Sequence, residues 1–489
     1  MQHNMGMIKI FEQVRTRATR DSFIFFFPFI IFVCFYAFSI LEGKKFDGSF
    51  IGNSNFINFL SLDVLRSDLF SALMGMHSQP PLLNFLFGIA AQLYPHHVLA
   101  IQLLWICIFL LTLYCLQQSL RIILGSKNFA SIGTTLYIFV PSTFGYVFWA
   151  YNTIILQMCF SVLILGITRL CKNIERGPIW TCFGLFLLFS IKTSFSGFIV
   201  IPLMLLVALY YVRVNRVSRF SKIELIFVTF LIIFSTTLQA HYLVNFKVTS
   251  LSSWSSNHLW RNLSSGLTTN QKIEIGNTNR CFADIIQSKN SGLGLHSYPN
   301  CLEKYQYIDV KTTNAARLGN TMNSKDRLLG SFAVRDLVNF TLPRYWTSYS
   351  KSVLGNTQTP GSLSHFLGIT IYAGQTRELI KQNLLFTTCI FLALMYLIIM
   401  SVHPRRYFSK YLCTLIAIFF FGLTYSLFGE SMENDRYKVE LNPLMYVLSI
   451  SISAFIYRRG FFKNTLLARR TQLANYLRRF PVSTMRNKW

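Results

Sequence analysis

Residues 22–41, from Ser22 to Leu41, form an unbroken apolar run with no charged side chain, and several runs like it recur along the chain. A helix that crosses the hydrocarbon core of a bilayer needs about 20 such residues. The pattern predicts spans at 22–41, 98–120, 129–148, 151–170, 178–191, 195–212, 223–243, 383–402, 411–428 and 443–457. The expected fold class is therefore an all-α integral membrane protein with about ten transmembrane helices. Only 13% of the 489 residues are charged, where a soluble domain carries about 25%. The first run continues into Phe-Ser-Ile-Leu-Glu-Gly-Lys-Lys, which offers no small-residue cleavage site, so it reads as a retained span.

The formal net charge of +27 raises nucleic-acid binding as a class. Its distribution excludes that class. The basic residues gather in short clusters between apolar runs: Lys9/Arg15/Arg17/Arg20, Arg121/Lys127, Arg169/Lys172/Arg176, Arg213/Arg216/Arg219/Lys222, Arg405/Arg406/Lys410, and the tail from Arg458 to Lys488. With ten spans, all of them fall on one side of the membrane, as the positive-inside rule requires. Both termini are then cytoplasmic. Most cysteines lie in or beside apolar spans, where they act as small hydrophobes. Cys281 and Cys301 lie in the polar central segment, where an oxidising compartment would pair them.

This topology divides the chain into an N-terminal membrane core at 1–243, a far-side loop domain at 244–382, C-terminal spans at 383–457 and a basic cytoplasmic tail at 458–489. The far side also receives the first loop, 42–97, and a short acidic loop, 429–442. The central segment is rich in Ser, Asn and Thr. It also holds Trp254, Trp260, Tyr305, Tyr307, Tyr345 and Trp346, an aromatic content that disordered linkers lack.

Several far-side residues could carry chemistry. Leu62, Leu65, Leu69, Leu73 and Met76 recur at helical spacing, so 62–76 reads as an amphipathic helix at the interface. Asp63 and Asp68 lie on it about 140° apart, as carboxylates of a solvated face or as catalytic groups. His77-Ser-Gln79-Pro80-Pro81 places a His and a Gln at a proline corner, which serves either structure or ligand binding. The last loop crowds Glu430, Glu433, Asp435, Arg436, Lys438 and Glu440 between two spans, as an ion-paired turn or a binding loop. Lys192 is the odd basic residue, at the far-side end of the fifth span. It could snorkel, or clamp a phosphate.

The run His77-Ser-Gln79-Pro80-Pro81-Leu82, the acidic first far-side loop and the late Glu433-Asn434-Asp435-Arg436-Tyr437 resemble the GT-C glycosyltransferases. The nearest group looks like the bacterial relatives of the dolichyl-phosphate-mannose protein mannosyltransferases. Ser253-Trp254-Ser-Ser-Asn257-His-Leu-Trp260-Arg261 is similar to a segment of that family. The resemblance implies transfer of a sugar from a polyprenyl-phosphate carrier to a glycan, lipid or protein acceptor on the far side. It implies a first-loop aspartate as general base, here Asp63 in the first place and Asp68 in the second. Isolated Asp47 stands where the family often shows adjacent acids. His77, Gln79, Lys192, Asn257, Arg261, Glu433 and Arg436 become candidates for substrate binding. The resemblance also implies a bacterial inner membrane, with the site facing the periplasm or exterior.

Displacement by the acceptor inverts the anomeric centre and needs one base. No carboxylate cage suggests a metal, although the acidic last loop leaves a divalent ion open. The competing reading is a polymerase or ligase of lipid-linked polysaccharide, which would lean on far-side arginines instead. A transporter would place its charges nearer the bilayer midplane.

Overall fold

The computed structural model describes residues 2–49, 51, 60–76, 80–140, 143–192, 195–214, 219–246, 251, 374–402, 404, 408–428 and 440–458. The expectations on His77, Gln79, Asn257, Arg261, Glu433, Arg436, the Cys281–Cys301 pair, most of the loop domain and the basic tail after 458 lie outside these residues.

The described regular structure is helical. The helices are α1 (Gln2–Leu41), α2 (Leu62–Ser67), α3 (Leu69–Gly75), α4 (Leu82–Ala91), α5 (His97–Leu124), α6 (Lys127–Ile138), α7 (Asn152–Cys171), α8 (Gly177–Ile191), α9 (Gly197–Val214), α10 (Arg219–His241), α11 (Gly374–Val402), α12 (Lys410–Phe428) and α13 (Asn442–Arg458). A 3₁₀ turn, Gly145–Phe148, precedes α7, and a π turn, Tyr242–Phe246, follows α10. Four helical stretches are long and apolar enough to cross a membrane: Ser22–Leu41, His97–Leu124, Asn152–Cys171 and Lys222–Asn245. Shorter apolar helices occupy Gly177–Ile191, Gly197–Tyr210, Thr388–Val402 and Lys410–Phe421. The chain is a helical membrane protein in this sense. The apolar side chains that α1, α9 and α10 turn outward, among them Phe23, Leu206 and Ile226, meet a solvent that does not penalise them.

The core is organised around α7. Every residue from Thr153 to Thr168 is buried, so the helix is enclosed on all sides. It packs on α5, α8, α12 and α13. The closest approach is to α8. A Cβ on Gly166 would lie 2.3 Å from the Thr181 amide nitrogen, and one on Gly184 would lie 2.7 Å from the Leu163 Cα. Small residues that let backbones touch drive helix association in lipid, where apolar side chains gain little by leaving a solvent as apolar as themselves.

Contacts between helix ends give the bundle two poles. At the basic pole, the Arg458 guanidinium at the end of α13 donates to the carbonyls of Ile123 (3.0 Å) and Leu124 in the last turn of α5. That satisfies acceptors which every helix leaves open at its C-terminus. Gly125 follows in the left-handed region, φ +66, and its amide closes on Arg121. At the opposite pole lie the end of α1, the start of α7, the end of α8 and the start of α13.

Two expectations change. The amphipathic segment 62–76 is two short helices rather than one. Asp68 leaves helical geometry (φ −152, ψ 73), its N–H closes α2 on Val64, and its carboxylate caps α3 at Ser71 N, 3.1 Å away. An aspartate that can bond the backbone competes with helix continuation, which explains the break. The segment 129–148 is not one span-length helix either. Helix α6 ends at Ile138, three residues before Pro141, and residues 145–151 are buried without α-helical structure.

The α7–α8 contact makes a direct prediction. Gly166→Ala places a methyl group against the α8 backbone and should lower stability by about 1–3 kcal/mol. Gly133→Ala, which meets only the flexible tips of Leu120 (3.1 Å) and Ile450 (4.0 Å), should cost less. Thermal unfolding of both variants in detergent checks the order.

Candidate functional site

Irregular backbone inside a lipid-solvated bundle is tolerated only where protein satisfies its polar groups. Residues 143–151 meet that condition partly among themselves and partly through Asp47, in the loop after α1. The Asp47 amide donates to Phe148 O at 2.7 Å, and the Ala150 amide donates to Asp47 O at 3.0 Å. The two strands thus form an isolated parallel bridge, Asp47 to Trp149. The buried Trp105 indole donates to Trp149 O at 2.9 Å. Ring pairs line the stretch, among them Tyr36 stacked on Phe148 (4.6 Å, 11°), Tyr146 beside Trp149 (5.4 Å) and Trp149 stacked on Tyr151 (4.8 Å, 10°). The Asp47 carboxylate is oriented as well, because its Oδ1 accepts from Ser49 N at 2.9 Å.

Polar side chains converge on the same stretch from α6, α7 and α13. Asn442 Nδ2 donates to Thr143 Oγ1 at 3.1 Å, and Tyr137 Oη donates to Gln157 Oε1 at 3.4 Å. Two residues before α13, Glu440 Oε2 accepts from the Lys192 ammonium at 2.8 Å. The two side chains are 9% and 5% exposed. Lys192 caps the C-terminus of α8, where a cation is favoured, and Glu440 lies at the amino end of α13, where an anion is favoured. Lys192 therefore neither snorkels to water nor stands as an open clamp in this structure. Its charge is committed to a carboxylate in the interior.

The other described candidates sit on the first loop. Asp63 is exposed in the first turn of α2, and Asp68 serves as the cap of α3. The corner that carries His77 and Gln79 falls between the end of α3 at Gly75 and the start of α4 at Leu82, with Pro81 in the cap position of α4. Helix α4 packs on α2, α3, α5 and α8, which docks the loop on the pole that holds Lys192. His241 ties α10 to the same loop, its Nε2 lying 2.7 Å from Met74 O.

Three participants escaped the reading of the sequence as site residues. Glu440 was one acid among several in a crowded loop. Its signal was that it abuts an apolar run on the side where Lys192 is the odd base. Thr143 falls inside the expected span 129–148 and Trp149 just after it, although Pro141 and Gly145 mark where that helix cannot continue. Comparison with protein-family models, curated proteins and solved structures returns no match.

Breaking one side of a buried pair leaves a buried charge. Lys192→Met and Glu440→Gln should each cost about 3–5 kcal/mol, and the double variant should recover most of the loss. Unfolding of the four proteins under one set of conditions measures the coupling. An additive double variant would mean that the two charges do not depend on each other.

Proposed function

We propose that this chain is a membrane glycosyltransferase that moves a sugar from a polyprenyl-phosphate carrier to an acceptor on the extracytoplasmic side. The observation that carries the reading is the unwound stretch 143–151 zipped to Asp47 at the pole opposite the basic clusters. Irregular backbone within a bundle is a place where membrane proteins build sites. Here one stretch takes Asp47 at Phe148 and Ala150 and Asn442 at Thr143, on a chain whose motifs resemble a family with this chemistry.

The step itself is a displacement. A carboxylate takes the acceptor hydroxyl proton, the acceptor oxygen bonds to the anomeric carbon, and the carbon–oxygen bond to phosphate breaks. The polyprenyl phosphate leaves with the electron pair, and the anomeric centre inverts. Asp47 is the preferred base, because backbone bonds on both sides pin it to the core, and a base must be held within reach of its proton. Asp63 is next. Asp68 is occupied as a cap. Lys192, with Arg261 or Arg436, supplies positive charge for the leaving phosphate. His77, Gln79, Asn257 and Glu433 remain the candidates for contacting donor or acceptor.

Asp47→Asn keeps the backbone bridge and removes the base, so transfer should fall roughly 10²–10⁴-fold. Asp68→Ala should cost about 1 kcal/mol of stability and leave transfer intact. The assay is purified protein with radiolabelled polyprenyl-phosphate sugars. Full activity in both Asp47→Asn and Asp63→Asn would turn the assignment to a polymerase or ligase of lipid-linked polysaccharide.

The proposed topology has ten crossings, cytoplasmic termini and residues 250–380 outside, in a bacterial inner membrane. Reporter fusions at 125, 218 and 475 should behave as cytoplasmic and one at 300 as external. A cytoplasmic reporter at 300 overturns the orientation.

A further inference from the structure

Lys192 and Glu440 meet across 248 positions of sequence, in the interior of a membrane bundle. Burying such a pair gains little or nothing over apolar residues of the same size, so stability alone does not explain it. Ionisable groups inside membrane bundles mark substrate paths and switches. The surroundings of the Glu440 carboxylate suit an anion, with an ammonium at 2.8 Å and the amino end of a 17-residue helix two positions on. A phosphate group carries more charge than a carboxylate and fits the same pair of features, a lysine ammonium and a helix amino terminus.

We infer that Glu440 is an internal stand-in for phosphate, holding Lys192 until a phosphate-bearing lipid displaces it. This rests on the transferase reading and adds a regulation to it. Without carrier, Lys192 is neutralised and the pole stays closed by the pair between α8 and α13. With carrier, the ammonium passes from carboxylate to phosphate and Glu440 is released. The exchange also keeps a lone ammonium from ever being buried, which would be strongly unfavourable.

The test uses the full chain in lipid nanodiscs, with no substitution. Farnesyl phosphate is the probe, with farnesol and inorganic phosphate as comparisons. Carbodiimide coupling of an amine to Glu440 is read by mass spectrometry. Saturating farnesyl phosphate should raise labelling about tenfold, since the side chain starts only 5% exposed and must leave its partner to react. Farnesol and inorganic phosphate should leave it unchanged. Unchanged or reduced labelling at saturation, or no binding of farnesyl phosphate, overturns the inference. An equal rise with inorganic phosphate overturns the assignment to a lipid. The two readings fail separately. Loss of transfer in Asp47→Asn with Glu440 unresponsive keeps the transferase and removes the exchange. A responsive Glu440 with no transfer from any carrier keeps the exchange and removes the transferase.

Discussion

The structure depends on how the backbone of residues 143–151 is satisfied inside a bundle whose outer solvent offers no hydrogen bonds. A helix would have closed those groups on itself. This stretch leaves α-helical geometry after Ile138; the amides of Thr143, Val147, Trp149 and Tyr151 close on carbonyls two or three residues back, while Ala150 N, Phe148 O and Trp149 O are met by Asp47 and Trp105. That solution fixes three things together. It anchors the chain just after α1 to the core, sets the start of α7, and brings an oriented carboxylate to a pole lined by stacked aromatic rings.

Helix α7 transmits that arrangement through the bundle. It is buried along sixteen consecutive residues, Thr153 to Thr168, and its glycine contact with α8 leaves no room for a methyl group. Helix α8 then ends at Lys192, whose position follows from the α7–α8 contact. Its partner Glu440 comes from the far end of the sequence, on the segment leading into α13, which packs on α5, α7, α11 and α12. The ion pair and the Asn442–Thr143 bond attach α13 to the unwound stretch from two directions. Charged and polar groups of this kind are costly in such an interior unless each meets a partner. Their clustering at one pole, away from the basic clusters, gives the bundle its chemical asymmetry.

Much of the helical framework was legible because lipid imposes a strong rule: long apolar runs without charge must be helices. The described helices α1, α5 and α7–α13 fall where those runs predict. The two departures have local causes. Asp68 interrupts 62–76 because its carboxylate bonds the backbone of the next turn, which hydrophobic spacing does not register. The stretch 139–151 is as apolar as a span, and hydropathy does not distinguish an apolar helix from apolar irregular backbone satisfied by a neighbour. Lys192 was visible as an anomaly, but its state was not, since a lone lysine at a span end looks the same whether it snorkels, binds a ligand or is paired.

The sequence by itself determined that this chain belongs in a membrane and that its described regular structure is helical. Each follows from composition over windows of about 20 residues, which is the length scale of the bilayer. Only the tertiary structure decided that Asp47 is bonded to Trp149, that Asp68 is a cap, and that the charge of Lys192 is met by Glu440. These are pairings between residues as far as 248 positions apart, and no local window contains both partners. They are chosen by which backbone groups and charges would otherwise be left unsatisfied once the helices have packed.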